Sequence, residues 1–388
     1  MNAELSYLSA LLRALAATGP PPEPSSYGIG WDRVSPPLLG HRLMIPMFAP
    51  LVQKSATAPE SLKEELQSLS RSFRLRSGLL LRELYRIISP LEEAGIQPVV
   101  LKGPALAQTV YDPPLARYFT DLDVLVRRED CDAACEILRR LGYGPTRGAM
   151  HPQYYERYHF HRSLENSAGV LVEVHWDLSR RNDYVRFDVD AFRARACILE
   201  TTPVPIRIPA ASDQLLLVAK QELDGGFSDL RRVVDGAFLI RAGAASDPSL
   251  AERARNQNLA GALWVLLLLV RELTAITAPD PLEAGVRPAS LVETCIKSLD
   301  LPGKTLSRYT FRRAGLVHLL RWLCAPSFRA LQREVWSFVL PRRELLLQLG
   351  HDPDNLPGPA RRFWLGARRA WSLVKVCCYQ AYRLARNG

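Results

Sequence analysis

The hydrophobic period of this chain changes on entering a central segment and changes back on leaving it, which limits the folds it can adopt. From about residue 59 to 94 the sequence, including LLLRELYRIISPLEEAG, repeats apolar residues at i, i+3 and i+4 until Gly95, the signature of one long amphipathic helix. Between 97 and 178 short apolar runs take over. PVVLKG and DLDVLV read as strands, ALAQTVY as a helix and DPPLARYFT as a Pro-rich connection. EDCDAACEILRRLGY has an acidic start and Gly142 at its end, as an amphipathic helix should. YERYHFHRSL and GVLVEVHWDL flank ENSA as the two arms of a hairpin. From Ser212 the helical period returns in ASDQLLLVAKQEL, SDLRRVVDGAFLIRAG and NLAGALWVLLLLVRELTAI. The expected class is therefore α+β. The parts expected are a helical region over 1–96 with a Pro-rich linker at 20–26, a mixed-sheet core over 97–210, a helical bundle over 211–303 and a basic helical region over 304–388.

Two acids interrupt a strand that otherwise wants to be covered. An ionised carboxylate taken out of water costs several kcal/mol unless it is paired or holds a metal. Asp121 and Asp123 are two residues apart and so share one face of the strand, which makes half a cation site. The alternative is an exposed edge strand, where such pairs are common. In LVEVHWDL, Glu173, His175 and Asp177 point one way and Val172, Val174 and Trp176 the other. Glu173 lies between valines and offers a third carboxylate, whereas Asp177 sits near the strand end as a cap or surface residue. Three carboxylates suit a site in which two ions about 3.5–4 Å apart stabilise an in-line displacement. His159, His161 and His175 lie on the same hairpin without the spacing of a zinc site, and fit structural or substrate-edge roles.

LKGPAL, Tyr111, LARYFTDLDVLV and VEVHW, followed by DLRRVVDGAFLI, resemble the uncharacterised nucleotidyltransferase family of the DNA polymerase beta-like superfamily over residues 97 to 240. The resemblance implies a polymerase-beta-like core, a mixed sheet with flanking helices. It also implies transfer of a nucleoside monophosphate from an NTP, with Mg²⁺ or Mn²⁺ on Asp121, Asp123 and Glu173. Gly103, after the first strand and at a helix start, would face the triphosphate, with Lys102 and Arg117 adding positive charge. Where the wider superfamily has a Gly-Gly or Gly-Ser step, this chain has Gly103 and Pro104, the LKG form usual in the narrower family. Lys220 reads equally as a nucleotide contact or a surface lysine, His175 as a substrate-edge residue, and Asp235 matches a place in the family's helix without a derivable role. The acceptor would be a hydroxyl on a small molecule, a protein or RNA. The competing expectation is a catalytically silent member that binds a peptide or nucleotide as an adaptor.

Composition narrows the setting. The 388 residues are 47% hydrophobic and 23% charged, an ordinary globular balance that argues against disorder. Seven cysteines show no CxxC pair, so neither a zinc framework nor a disulfide scaffold is expected, and a reducing cytoplasm is the simplest compartment. Cys131 and Cys135, one helical turn apart, read as core residues. The opening MNAELSYLSALLRALAATG has an early acid and no basic leader, and reads as a surface helix. LAGALWVLLLLV is too short to span a bilayer and reads as a buried helix. Net charge is +10, yet residues 304–388 alone hold 16 Lys and Arg against 4 Asp and Glu. There the segment 361–386 forms a basic amphipathic helix, with Trp364, Trp371 and Val374 on its apolar stripe, fit to dock on the bundle or meet an anionic partner.

Overall fold

The computed structural model describes residues 3–279, apart from 18, 41, 147–158 and 182, together with 321 and 324–332. Four helices come first: α1 (Ala3–Ala17), α2 (Trp31–Gly40), α3 (Ile45–Gln53) and α4 (Glu60–Glu93). The α4 span matches the long i, i+3, i+4 pattern almost residue for residue. Then follow β1 (Val99–Val100), α5 (Lys102–Thr109), β2 (Asp121–Leu125), α6 (Cys131–Arg140), β3 (Tyr143–Pro145), β4 (His161–Asn166) and β5 (Leu171–His175). A short helix α7 (Val189–Ala194) leads to β6 (Cys197–Leu199) and β7 (Ile206–Ile208). The helices α8 (Ala211–Gly225), α9 (Leu230–Arg241), α10 (Leu250–Asn256) and α11 (Ala260–Thr274) complete the described order.

The seven strands form one mixed sheet in the order β3-β4-β5-β2-β1-β7-β6. β2 runs parallel to β5, and β1 parallel to β7, while the remaining neighbours are antiparallel. The fold is thus α+β with a mixed sheet, as the change of period required. β3, β6 and β7, of three residues each, were not among the strands expected from the sequence; runs so short carry no readable alternation.

One face of the sheet is largely apolar, with Arg162 on it beside Val174. Leu122, Val124, Val172, Val174 and Leu164 project from it onto α4 and α6, joining Leu84, Ile87, Ile88, Cys131, Cys135 and Leu138 in one core cluster. Both cysteines are fully buried, in keeping with core packing. The other face turns toward the helical bundle, whose core reaches the sheet through Val99, Leu101 and Leu125. Helix α11, the LAGALWVLLLLV segment, buries Leu263, Leu266, Leu269 and Leu273 there. Among the described residues no helix is long and apolar enough to cross a membrane.

Helix α1 departs from its expected place on the surface. Leu5, Tyr7, Leu8, Leu11 and Leu12 are buried, because α2 and α3 on one side and α9 and α11 on the other present apolar walls to them. The Ser9 hydroxyl donates to the Leu273 carbonyl at 3.0 Å, Arg13 donates to the Glu272 carbonyl at 3.0 Å, and Arg241 to the Ala16 carbonyl at 2.5 Å. In the Pro-rich stretch 20–26, the Glu23 carboxylate accepts from Ser55 Oγ at 2.8 Å and from the Ala56 amide at 3.2 Å, fastening this stretch to the end of α3. The segment 361–386 lies outside the described residues.

Candidate metal and nucleotide site

Register builds the site. In the parallel pairing of β2 with β5, Asp123 stands opposite Glu173 and Leu125 opposite His175. Cross-strand partners share a face, and so do residues two apart along a strand. Asp121, Asp123, Glu173 and His175 therefore emerge together on the side away from the α4/α6 core. In the antiparallel pairing of β4 with β5, His161 stands opposite His175 and joins the same face. Carboxylate oxygens of Asp121, Asp123 and Glu173 all lie within 4.8 Å of one another.

The chain brings a cation to them at a sharp corner. After β1 the Leu101 amide donates to the Asp123 carbonyl at 2.9 Å, and Lys102 then turns with φ of 52° into α5. Positive φ is unfavourable for a residue with a side chain and costs on the order of 1 kcal/mol or more. The turn sends the Lys102 ammonium back over the sheet, where it contacts Asp123 Oδ1 and lies 3.7 Å from Glu173 Oε2. His175 Nε2 is 2.7 Å from the same Asp123 oxygen. Both Asp123 and His175 are about 1% exposed.

Charge in the site is unevenly compensated. Burial alone would raise the Asp123 carboxyl, but the Lys102 ammonium and the His175 hydrogen bond outweigh it and hold it well below the usual carboxylate range. Asp121 is less well compensated: it feels the Lys102 charge and accepts from Thr120 Oγ1 at 3.3 Å, and both are outweighed. Burial first, and the Asp123 charge second, push it up to about 6. Burial works against the charge on Lys102, and Asp123 and Glu173 more than offset it, so the ammonium stays above its ordinary range. For His161, burial and then the neighbouring His175 hold the imidazole far below its usual range. Three carboxylates thus converge on one intramolecular cation, leaving room electrostatically for a second.

The remaining residues expected at the site stand in other surroundings. Arg117 is buried, and its guanidinium donates to both oxygens of Asp235, each at 2.7 Å, while Tyr111 donates to Asp235 Oδ1 at 2.6 Å. Its Nη1 donates to the Tyr118 carbonyl at 2.5 Å, so the structure fastens the connection before β2 to α9 at this point instead of turning Arg117 toward the carboxylates. Asp235, without a role from the sequence, is the acceptor of that fastening. Lys220 is bound to Asp183 Oδ2 at 3.0 Å and Asp224 Oδ2 at 2.6 Å, in an ionic cluster shared with Arg321. Gly103 lies in the first turn of α5 against Phe119: a Cβ there would come 2.5 Å from the Phe119 Cβ. Asp177 accepts from the Leu178 and Ser179 amides at 2.6 and 3.2 Å, the cap its place at the strand end foretold.

His161 is the residue whose place sequence reasoning left undrawn. Its Nε2 lies 3.4 Å from Glu173 Oε1. The signal was the hairpin register: counting back from ENSA sets His161 across from His175. Residues 28–275 of the chain match the family model described as "Uncharacterised nucleotidyltransferase". No curated protein matches the chain.

Proposed function

Because this chain belongs to the uncharacterised nucleotidyltransferase family, we propose that it moves a nucleoside monophosphate from an NTP to a hydroxyl acceptor, using a divalent ion on Asp121, Asp123 and Glu173. One observation carries this reading: the β2/β5 register sets Asp123 beside Glu173 with Asp121 on the same face, and their oxygens converge. Carboxylate oxygens are the donors Mg²⁺ and Mn²⁺ prefer, and Lys102 already occupies part of the space as a tethered positive charge, so the residues fit a cation. When bound, such an ion neutralises charge developing on the phosphates and lowers the barrier to in-line displacement.

The protein's own groups would do the rest. Lys102 and the first amides of α5 face incoming phosphate oxygens with positive potential. The acceptor oxygen forms a bond to the α-phosphorus as the bond from that phosphorus to the bridging oxygen breaks. Pyrophosphate leaves with the electron pair, and the hydroxyl proton passes to a carboxylate oxygen of the cluster. His175, hydrogen-bonded to Asp123, keeps that acid oriented. The acceptor is a small molecule, a protein side chain or RNA.

The silent-adaptor reading draws on two observations: Lys102 lies on Asp123, and Arg117 is committed to Asp235. One experiment separates them. The full chain is incubated with labelled NTPs and Mg²⁺ or Mn²⁺, alone and with candidate acceptors, beside Asp121→Ala/Asp123→Ala. Label transfer by the wild type alone supports the transferase; transfer that survives the double substitution sinks the metal assignment. NTP binding without transfer supports the adaptor.

A further inference from the structure

We propose that His161, Glu173 and His175 form a second cation site beside the carboxylate trio, suited to a borderline first-row ion such as Zn²⁺ or Co²⁺ and not to Mg²⁺. The three side chains leave the sheet on one face because β4 and β5 pair His161 with His175 and Ser163 with Glu173. One ligand atom from each lies within 4.8 Å of the others.

Each imidazole stands near the carboxylate at ligand spacing. His161 Nε2 is 3.4 Å from Glu173 Oε1, and His175 Nε2 is 3.3 Å from Glu173 Oε2. Hydrogen bonds from nitrogen to oxygen cluster at about 2.9–3.0 Å. Ligands about 2.0–2.1 Å from a tetrahedral ion stand about 3.3–3.4 Å apart, so each ring lies at that separation from one of the two Glu173 oxygens. The imidazole centroids are 4.7 Å apart with planes 52° from parallel, so the rings do not stack flat and each can turn a nitrogen to the carboxylate.

A second observation points to a ligand there. His161 Nδ1 and His175 Nδ1 are both buried without a hydrogen-bond partner among the described residues, so each ring keeps a nitrogen that none of these groups engages. The Lys102 ammonium approaches the Glu173 carboxylate on Oε2 and leaves Oε1 to His161. Two imidazoles beside it favour ions that bind nitrogen well; Mg²⁺ takes oxygen and keeps its waters. His175 Nε2 also lies 2.7 Å from Asp123 Oδ1, a contact that an ion on this nitrogen would take over. Sequence spacing hides the site, because its ligands come from neighbouring strands and not from one loop.

The inference rests on Glu173 as a metal ligand, as the proposed function does, but not on nucleotidyl transfer. The test loads the chelator-treated full chain with Co²⁺ and no nucleotide. A visible Co²⁺ spectrum of low-symmetry, nitrogen-containing coordination is expected, with imidazole-nitrogen coupling in pulsed EPR of the same form. His161→Ala is expected to weaken Co²⁺ binding at least about ten-fold. Asp121→Asn, which touches only the carboxylate trio, should leave the Co²⁺ spectrum in place. A wild-type protein that binds Co²⁺ without nitrogen coupling, or does not bind it, overturns the site whatever the fold of the variants. Nitrogen coupling in a protein that transfers no nucleotide upholds the site and removes the proposed function.

Discussion

Arg117 and Asp235 meet through two parallel hydrogen bonds of 2.7 Å, across 118 positions of sequence and out of reach of water. Losing one member strands the other as a buried charge, at a cost of about 3–5 kcal/mol, whereas two apolar residues of similar volume leave stability near wild type. Urea unfolding should find Arg117→Met and Asp235→Leu each strongly destabilised and the double variant recovered. NTP affinity that returns with the double variant assigns Arg117 to the scaffold; affinity that stays lost returns it to the triphosphate.

Gly103 is a packing requirement. A Cβ 2.5 Å from that of Phe119 must push α5 and the connection before β2 apart, at about 1–3 kcal/mol. Gly103→Ala should lower the melting temperature, and adding Phe119→Ala, which keeps the clashing Cβ, should not restore it. An unchanged melting temperature for Gly103→Ala would mean that α5 stands farther from Phe119.

The acid of Asp121 ties stability to pH. Its folded pKa of about 6 lies above the ordinary 3.8, so the folded state holds the proton more tightly than the unfolded one. Above pH 6 the ionised group costs stability; below about 3.8 the cost is gone. Asp121→Asn should therefore melt higher than wild type at pH 8 without divalent ions, by at most about 3 kcal/mol and less for its partial exposure. The advantage should fade as pH falls through 6 toward 4. Added Mg²⁺ or Mn²⁺ should raise the wild type more than the variant, and an equal rise would count against Asp121 as a ligand.

Lys102 competes with a metal and cooperates with a nucleotide. Replacing it by Gln removes the charge on Asp123 and Glu173, and metal binding by the free protein should tighten about ten-fold, roughly 1.4 kcal/mol. NTP binding in the presence of the metal should weaken by a similar factor. Calorimetry with each ligand separately reads the two signs. Weakening of both would make Lys102 a support for the site and not a stand-in for its ion.

The site was more legible in the sequence than the sheet that carries it. Asp121, Asp123 and Glu173 are acids at buried-strand positions, a conflict between neighbours that a single line of sequence displays. The long period of α4 is equally local. Arg117 and Asp235 look like ordinary charged residues until the chain folds, because nothing within 118 positions says they will meet. The same holds for α1, whose buried face finds much of its cover in α11, far along the chain. The three-residue strands β3, β6 and β7 draw their extended conformation from neighbours across the sheet and carry no period of their own.

The bond from Ser9 to the Leu273 carbonyl spans 264 positions, and it dates the moment at which the fold can close. A ribosome adding roughly 5–20 residues each second makes α11 tens of seconds after α1 has emerged. Through that interval Leu5, Leu8, Leu11 and Leu12 have no α11 to lie against. Until α11 is made, α1 has α2, α3 and then α9 to pack against, so the full cover of this helix waits on the far end of the bundle.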